Sequence, residues 1–299
     1  MDFAGAGDSP RAPEADRGPA GGGVVSKKGK DKEQPLRIEP GTKVRLKDFD
    51  PDYHSNPYPD DPKLVNQLAK DLKRMAELQE RLYAEHKRSL LIVLQAMDAG
   101  GKDGTIKHVM SGLNPQSCRV ASFKKPAGLE AERDFLWRIH RVTPAQGEIV
   151  IFNRSHYEDV LVARVHGLAP KSVWKGRYKH INNFEEELVD SGTQILKFFL
   201  YISKEEQRDR FQQRLDDQQK HWKLSLADFA ERGRWDYYME AFEDALAHCS
   251  TPWAPWYVIP ANRKWFRNYA VARTIVEKLE EMDPKFPPTT VDISKIVLT

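Results

Sequence analysis

The sequence predicts an α/β protein built on a mostly parallel sheet with helices on both faces. Apolar runs of strand length recur at 90–94, 119–123, 149–152, 195–202 and 256–259. Helical patterns fill the intervals at 104–113, 129–141, 157–166 and 178–189, through a long stretch at 204–248, and close the chain's core at 264–282. Strands that alternate with helices need crossover connections and therefore parallel neighbours. No internal repeat competes with this organisation, and no stretch approaches the ~18 consecutive apolar residues of a membrane span.

Taken in order, residues 1–35 hold seven of the 18 glycines and almost no large apolar side chain, so they cannot offset the entropy of ordering and are expected to be a disordered tail. Their six basic and six acidic residues cancel, which argues for a solvated extension over a nucleic-acid arm. The Pro- and Asp-rich text of 36–62, around Asp48-Phe-Asp-Pro-Asp-Tyr53, is expected as extended structure laid over the domain. Leu64, Leu68, Leu72, Met75, Leu78 and Leu82 then recur at three- and four-residue spacing and predict a helix, which could also supply an interface in a homo-oligomer, a dimer or tetramer.

Composition narrows the function classes. Of the 299 residues 30% are charged, but 47 Lys plus Arg against 44 Asp plus Glu leave a formal net charge of +3. That balance excludes unselective coating of nucleic acid or anionic membrane, so neither is expected as a partner. Two cysteines, Cys118 and Cys249, make no disulfide framework or metal-ligand spacing and suit a reducing compartment. With Asp2 near the start and no basic region before an apolar run, no secretory signal is read, and the cytoplasm is expected.

Parallel sheets bind ligands at the carboxyl ends of their strands. The first strand runs into Gln95-Ala-Met-Asp-Ala-Gly-Gly-Lys-Asp-Gly-Thr105 and then a helix. Glycines that let N–H groups approach an anion, a helix N-terminus and a lysine are the parts of a phosphate-binding loop. Against Gly-x-x-x-x-Gly-Lys-[Ser/Thr], Gly101 and Lys102 fit, while Ala96 stands for the first glycine and Asp103 for the hydroxyl residue. Asp98 could then supply the oxygen a hard cation needs. The competing reading is a structural turn with a solvated lysine.

After the third strand comes Asn153-Arg-Ser-His-Tyr-Glu-Asp159. Arg154 could fork onto a phosphate. Glu158 and Asp159 could serve a metal or a nucleotide hydroxyl, or merely favour the first turn of a helix. After the fourth strand Ser203-Lys-Glu-Glu206 forms a capping box, and the helix it starts carries Arg208, Arg210 and Arg214. Residues 203–235 hold eight basic and seven acidic side chains, so the question is which face the arginines share. In a P-loop kinase this position is the lid; the alternative is an exposed, ion-paired helical hairpin. The nine histidines make no metal-binding cluster, and no acyl-transfer nucleophile is legible.

The loop at 95–105, Leu136-Trp-Arg-Ile-His140, Gly147-Glu-Ile-Val-Ile-Phe-Asn-Arg-Ser-His-Tyr-Glu-Asp-Val160 and Ala254-Pro-Trp-Tyr-Val-Ile-Pro-Ala-Asn-Arg-Lys-Trp265 together resemble the type 2 polyphosphate kinase family over roughly 40–282. The resemblance implies a P-loop kinase fold, a three-layer αβα arrangement on a five-stranded parallel sheet with a helical lid, similar to thymidylate kinase. The kinase domain would span 36–283, with the lid at about 204–235 and a C-terminal tail at 284–299. It implies transfer of the terminal phosphoryl of inorganic polyphosphate to a nucleotide with Mg²⁺, or Mn²⁺ in its place. Asn153 and Glu158 stand where many members have Asp and Asn, which is similar to the subgroup that phosphorylates AMP as well as ADP. Guanine nucleotides are further candidate acceptors.

By the same matching, Gly100, Gly101, Lys102, Lys124, Arg154, Arg208 and Arg210 would contact phosphates, with Asp98, Lys102, Arg154 and Arg210 as the catalytic set. Asp98 and Asp159 would hold the metal, and Glu158 and Asp159 the nucleotide. The competing functions are an ATP-dependent nucleoside monophosphate kinase and a nucleotide-binding protein that does not transfer. A polyphosphate chain supplied without ATP separates the first from the kinase, and any transfer at all excludes the second.

Overall fold

The computed structural model describes residues 36–54 and 62–297; the tail expected over 1–35 and the stretch 55–61 lie outside the described residues. The elements are α1 (Pro62–Glu85), β1 (Ser89–Gln95), α2 (Lys102–Val109), β2 (Cys118–Ser122), α3 (Trp137–His140), β3 (Ile149–Asn153), α4 (Val162–Val165), α5 (Lys171–Asp190), β4 (Thr193–Tyr201), α6 (Lys204–Asp216), α7 (Leu226–Arg232), α8 (Trp235–Cys249), β5 (Trp256–Pro260) and α9 (Lys264–Met282).

The five strands form one parallel sheet in the order β2-β3-β1-β4-β5. Every residue of β1 is buried, as a strand covered on both faces must be, and its unbroken Leu90-Leu-Ile-Val-Leu94 text reflects this. Leu94 stands level with Asn153 of β3 and Phe198 of β4, so the carboxyl ends of β1 and β3 finish side by side. Right-handed crossovers then put α2 and α9 on one face and the helices between β3 and β5 on the other. Contacts agree: α9 packs on α1 and α2, and α5 on β4 and α8. Because the chain leaves β1 and β3 toward opposite faces, a crevice opens between their ends.

The expected overlay is present over the described part of 36–62. Ile38 N–H donates to the Trp256 carbonyl (2.8 Å) and Val258 N–H to that of Leu36 (2.8 Å). This short antiparallel pairing covers the open edge of β5, while Ile38, Val44 and Leu46 enter the core.

Helices differ from expectation where local caps interrupt the apolar period. The pattern at 129–141 yields only a 3-10 turn at Gly128–Glu130 and the four residues of α3. Leu129 is exposed, and the Asp134 side chain accepts from the Leu136 and Trp137 N–H groups, which restarts the chain. The pattern at 157–166 becomes a 3-10 turn, His156–Asp159, capped by Ser155, and then α4. The stretch 204–248 breaks into α6, a 3-10 turn at Gln218–Lys223, α7 and α8, with Asp217 and Ser225 as side-chain caps at the breaks. Ser203 caps α6 as its capping box predicts, accepting from Glu206 N–H at 3.1 Å.

Candidate active site

The turn after β1 is built by backbone geometry first. Gly100 N–H bonds back to the Met97 carbonyl (2.9 Å), and a side chain at Gly100 would put its Cβ 2.5 Å from that of Ala96. Ala99 and Gly101 both take the left-handed conformation, at φ 59° and 106°, and Gly101 opens α2. Such a turn aims consecutive N–H groups toward one point at a helix N-terminus, where an anion is favoured. Lys102 folds over it, its Nζ donating to the carbonyls of Ala96 (2.9 Å) and Met97 (3.5 Å). Burial and then Arg154 lower the Lys102 pKa, a strain that a phosphate charge would relieve.

Arg154, also left-handed at φ 63°, follows β3 and is tied to β1 through its N–H on the Leu94 carbonyl (3.1 Å). Its guanidinium meets Asp98 (3.0 Å) and Glu158 (3.9 Å). Burial raises the Glu158 pKa, an effect that Arg154 and Lys102 oppose. Asn153 donates to Asp103 (2.9 Å), joining the two turns a second time. Beneath them lies a network of fully buried groups. Lys197 of β4 reaches Glu185 of α5 (2.5 Å), the Tyr157 hydroxyl (2.9 Å) and the Cys249 carbonyl (2.6 Å). Glu185 also accepts from Tyr157 (2.9 Å) and pairs with His156 (3.1 Å). The segment that carries Arg154 and Glu158 is thereby pinned from below.

These turns open into a cavity of about 1640 Å³ lined by Asp98, Lys124, Arg154, Glu158 and Asp159 among the expected residues. Its far wall carries Arg133, Arg138, Arg177 and Phe135, with the Arg177 guanidinium 5.0 Å over the Phe135 ring. Asp228 and Glu231 of α7 close it on another side. Burial raises the Asp228 pKa, and Asp98, which lines the same cavity, adds to it. Arg138 falls within the motif Leu136-Trp-Arg-Ile-His140, but no role was expected of it, and Asp228 and Arg177 lie outside the motifs.

The expected set is only partly gathered. Asp159 lies between Arg138 (3.8 Å) and Arg177 (3.4 Å) and not with Asp98 against one ion; burial raises its pKa and those two arginines oppose the shift. Arg208 is exposed and paired with Asp209 (2.9 Å), whereas Arg210 is buried, because residues two apart on a helix face different ways. Arg210 bonds to the carbonyls of Ala99 (2.9 Å), Ala261 (2.5 Å) and Asn262 (3.1 Å) and to Glu206 (2.7 Å). Gln207 on the same side of α6 donates to the Asp98 carbonyl (2.9 Å). Arg210, expected on phosphate, thus grips the loop's main chain instead, and Arg208 points away from it. Of the expected residues, Gly100, Gly101, Lys102, Arg208 and Arg210 do not line the cavity, the first three lying in the turn beside it.

A divalent cation fits this donor set in one way. Among the described residues no cluster of three metal-ligating side chains exists. Asp98 offers one carboxylate at the mouth of the loop, which suits a hard cation completed by substrate phosphates and water.

A parallel sheet with a glycine-lysine turn at the first strand's end, an arginine at the third and a cavity between defines a P-loop kinase-type phosphotransferase. Comparison with known proteins makes this specific. The family Polyphosphate kinase 2 (PPK2) matches residues 60–287, and the chain belongs to it. It is 52% identical over 262 residues to the AMP/ADP-polyphosphate phosphotransferase of Meiothermus ruber, covering 88% of this chain and 98% of that one. It is 43% identical over 275 residues to the ADP-polyphosphate phosphotransferase of Rhodopseudomonas palustris, covering 87% and 93%. The crystal structure of Polyphosphate Kinase 2 from Arthrobacter aurescens TC1 superposes with a TM-score of 0.83 at 42% identity, over 87% of this chain and 92% of that one. No helix among the described residues is long and apolar enough to cross a membrane.

Proposed function

We propose that this protein transfers the terminal phosphoryl of inorganic polyphosphate to AMP and ADP, giving ADP and ATP, reversibly. The observation that carries the reading is that Asp98, at the start of the glycine-lysine turn, and Arg154 after β3 pair at 3.0 Å and line one cavity, in a chain of this family. Phosphoryl transfer needs in-line positioning and neutralised charge more than covalent chemistry. The acceptor's terminal phosphate is itself a nucleophile at neutral pH, so no general base is required.

In this reading the loop's N–H groups and Lys102 hold phosphates, Lys102 exchanging its contacts to Ala96 and Met97 for phosphate oxygens. Arg154 forks onto the transferring group from the β3 side, released from Asp98 as ligand enters. Lys124 extends the positive wall along the polyphosphate, and Glu158 with the Arg138–Asp159–Arg177 cluster positions the nucleotide. Asp98 would hold Mg²⁺, which when bound neutralises charge on the phosphate oxygens. Residues of about 204–235 act as the lid, with Arg210 fixing the loop and Arg208 closing onto phosphate when the segment moves. The kinase domain is then 36–283, working as a homo-oligomer.

The test supplies AMP or ADP with polyphosphate and Mg²⁺ and no ATP. Formation of ADP and ATP supports the reading. Transfer from ATP but not from polyphosphate supports an ATP-dependent nucleoside monophosphate kinase instead.

A further inference from the structure

Arg267, in the first turn of α9, is almost fully buried and does not line the cavity. Its guanidinium lies across the backbone of the phosphate loop. A Cβ at Gly101 would collide with Arg267 Nη1 and stand 3.5 Å from Arg210 Nη1, and one at Gly104 would stand 3.3 Å from Arg267 Nη2. The two glycines of Gly101-Lys-Asp-Gly104 therefore make room for an arginine.

The charge of that arginine is unbalanced. Arg210 has Glu206 at 2.7 Å, but Arg267 pairs with no carboxylate among the described residues. Its Nε and Nη2 donate to the neutral Asn268 Oδ1 at 3.2 and 2.8 Å. Burial, with Arg210 beside it, pulls the Arg267 pKa down to about 10. A buried unpaired charge is costly unless an opposite charge arrives. Here an anion is favoured at the N-terminus of α2, which Gly101 opens and against which Arg267 packs.

We propose that Arg267 is a positioning residue of the phosphate loop whose buried positive charge is balanced by the phosphoryl ligand and not by a carboxylate of the chain. This rests on the reading of the turn as a phosphate site. Arg267 shapes the loop through Gly101 and Gly104 and supplies a fixed field beneath it, without touching the reacting atoms.

The role has a signature that simple packing lacks. Removing the charge relieves the ligand-free fold and weakens anion binding, so stability and affinity move in opposite directions. The experiment uses the full chain with Arg267→Met, Arg267→Gln and Arg267→Lys. It measures the ligand-free unfolding midpoint and the Kd of inorganic tripolyphosphate with Mg²⁺ by calorimetry. The neutral variants are expected to unfold at the wild-type temperature or above it. Their Kd should rise about 10-fold or more, the scale of a charge-assisted interaction. Arg267→Lys should keep affinity nearer to wild type.

Neutral variants that unfold earlier with unchanged Kd, or that fail to fold at all, overturn the proposal, because Arg267 would then be structural packing. Wild-type protein that binds no tripolyphosphate overturns the phosphate-loop reading itself. Wild-type binding with unchanged variants removes only the role of Arg267.

Discussion

Arg210 donates from Nη1 to the main-chain carbonyl of Ala99, 2.9 Å away, and so fixes a non-glycine residue in the left-handed conformation at the centre of the phosphate loop. That conformation costs about 1–2 kcal/mol in an L-residue, and Arg210 is one of the contacts that offset it. The same guanidinium holds Ala261 and Asn262, so one side chain ties α6, the loop and the end of β5 together. Arg210→Lys is expected to lower phosphoryl transfer at least about 100-fold, because a single ammonium cannot reproduce a planar fork with several donors. The fold should persist but weaken by about 3 kcal/mol, as when one partner of a buried charged network is lost. Steady-state kinetics and urea unfolding of the one variant check both.

Gly100→Ala tests the loop's packing without altering a charge. Its Cβ would lie 2.5 Å from that of Ala96 and 2.8 Å from the Met97 carbonyl, so the backbone must move. We expect a stability loss of about 1–3 kcal/mol, the usual cost of overpacking. The Kd for tripolyphosphate should rise with it. An unaffected variant in denaturant titration would show that the turn has room for a methyl group at Gly100.

Glu158 makes a pH prediction. Burial raises its pKa in the folded chain, so between the ordinary carboxylate value and the raised one the folded state binds more protons than the unfolded state. Its contribution to stability is therefore favourable in acid and is lost as pH rises through the folded value. Glu158→Gln should be more stable than wild type at neutral pH, and the difference should vanish below the ordinary carboxylate range. Thermal unfolding across pH 4–8 reads this. If Glu158 also positions the nucleotide, KM for AMP rises in the same variant.

The Lys197–Glu185–Tyr157–His156 network predicts non-additive stability. Burial works against the Glu185 carboxylate, but Lys197 and His156 outweigh it and lower its pKa, while Tyr157 is pushed well above its ordinary value. Lys197→Met leaves Glu185 buried without its cation and should cost about 3–5 kcal/mol. Adding Glu185→Gln should recover part of that loss, measured as a double-mutant cycle. Additive losses would mean that the two side chains do not act as a pair.

The sheet was legible because β1, β3 and β5 are near-continuous apolar runs, although the edge strand β2, Cys118-Arg-Val-Ala-Ser122, is half-exposed and carries a weaker signal, and the loop was legible because a glycine-lysine turn sits between a strand and a helix. The last helix was also legible, since 264–282 has no internal cap to break its period. The sequence misled where a polar side chain overrode periodicity: Asp134 ends the pattern at 129–141, and Asp217 and Ser225 divide 204–248. Among site residues, Asp98, Lys124, Arg154, Glu158 and Asp159 share one cavity, yet Asp159 answers to Arg138 and Arg177. Those two partners lie 21 and 18 residues from Asp159 in the chain, and no local spacing reveals them. Lys197 is visible in the sequence in another way: a lysine inside Ile195-Leu-Lys-Phe-Phe199 in a buried strand must have a buried partner.

The most direct test follows label from polyphosphate carrying ³²P, with AMP, Mg²⁺ and no ATP, in wild type and Lys102→Ala. Wild type should place label in ADP and then in ATP. Lys102→Ala should fold normally and transfer at least about 1,000-fold more slowly, the scale of a lost transition-state charge contact. Label transfer by Lys102→Ala at the wild-type rate, or none by wild type while ATP serves as donor, would contradict the account.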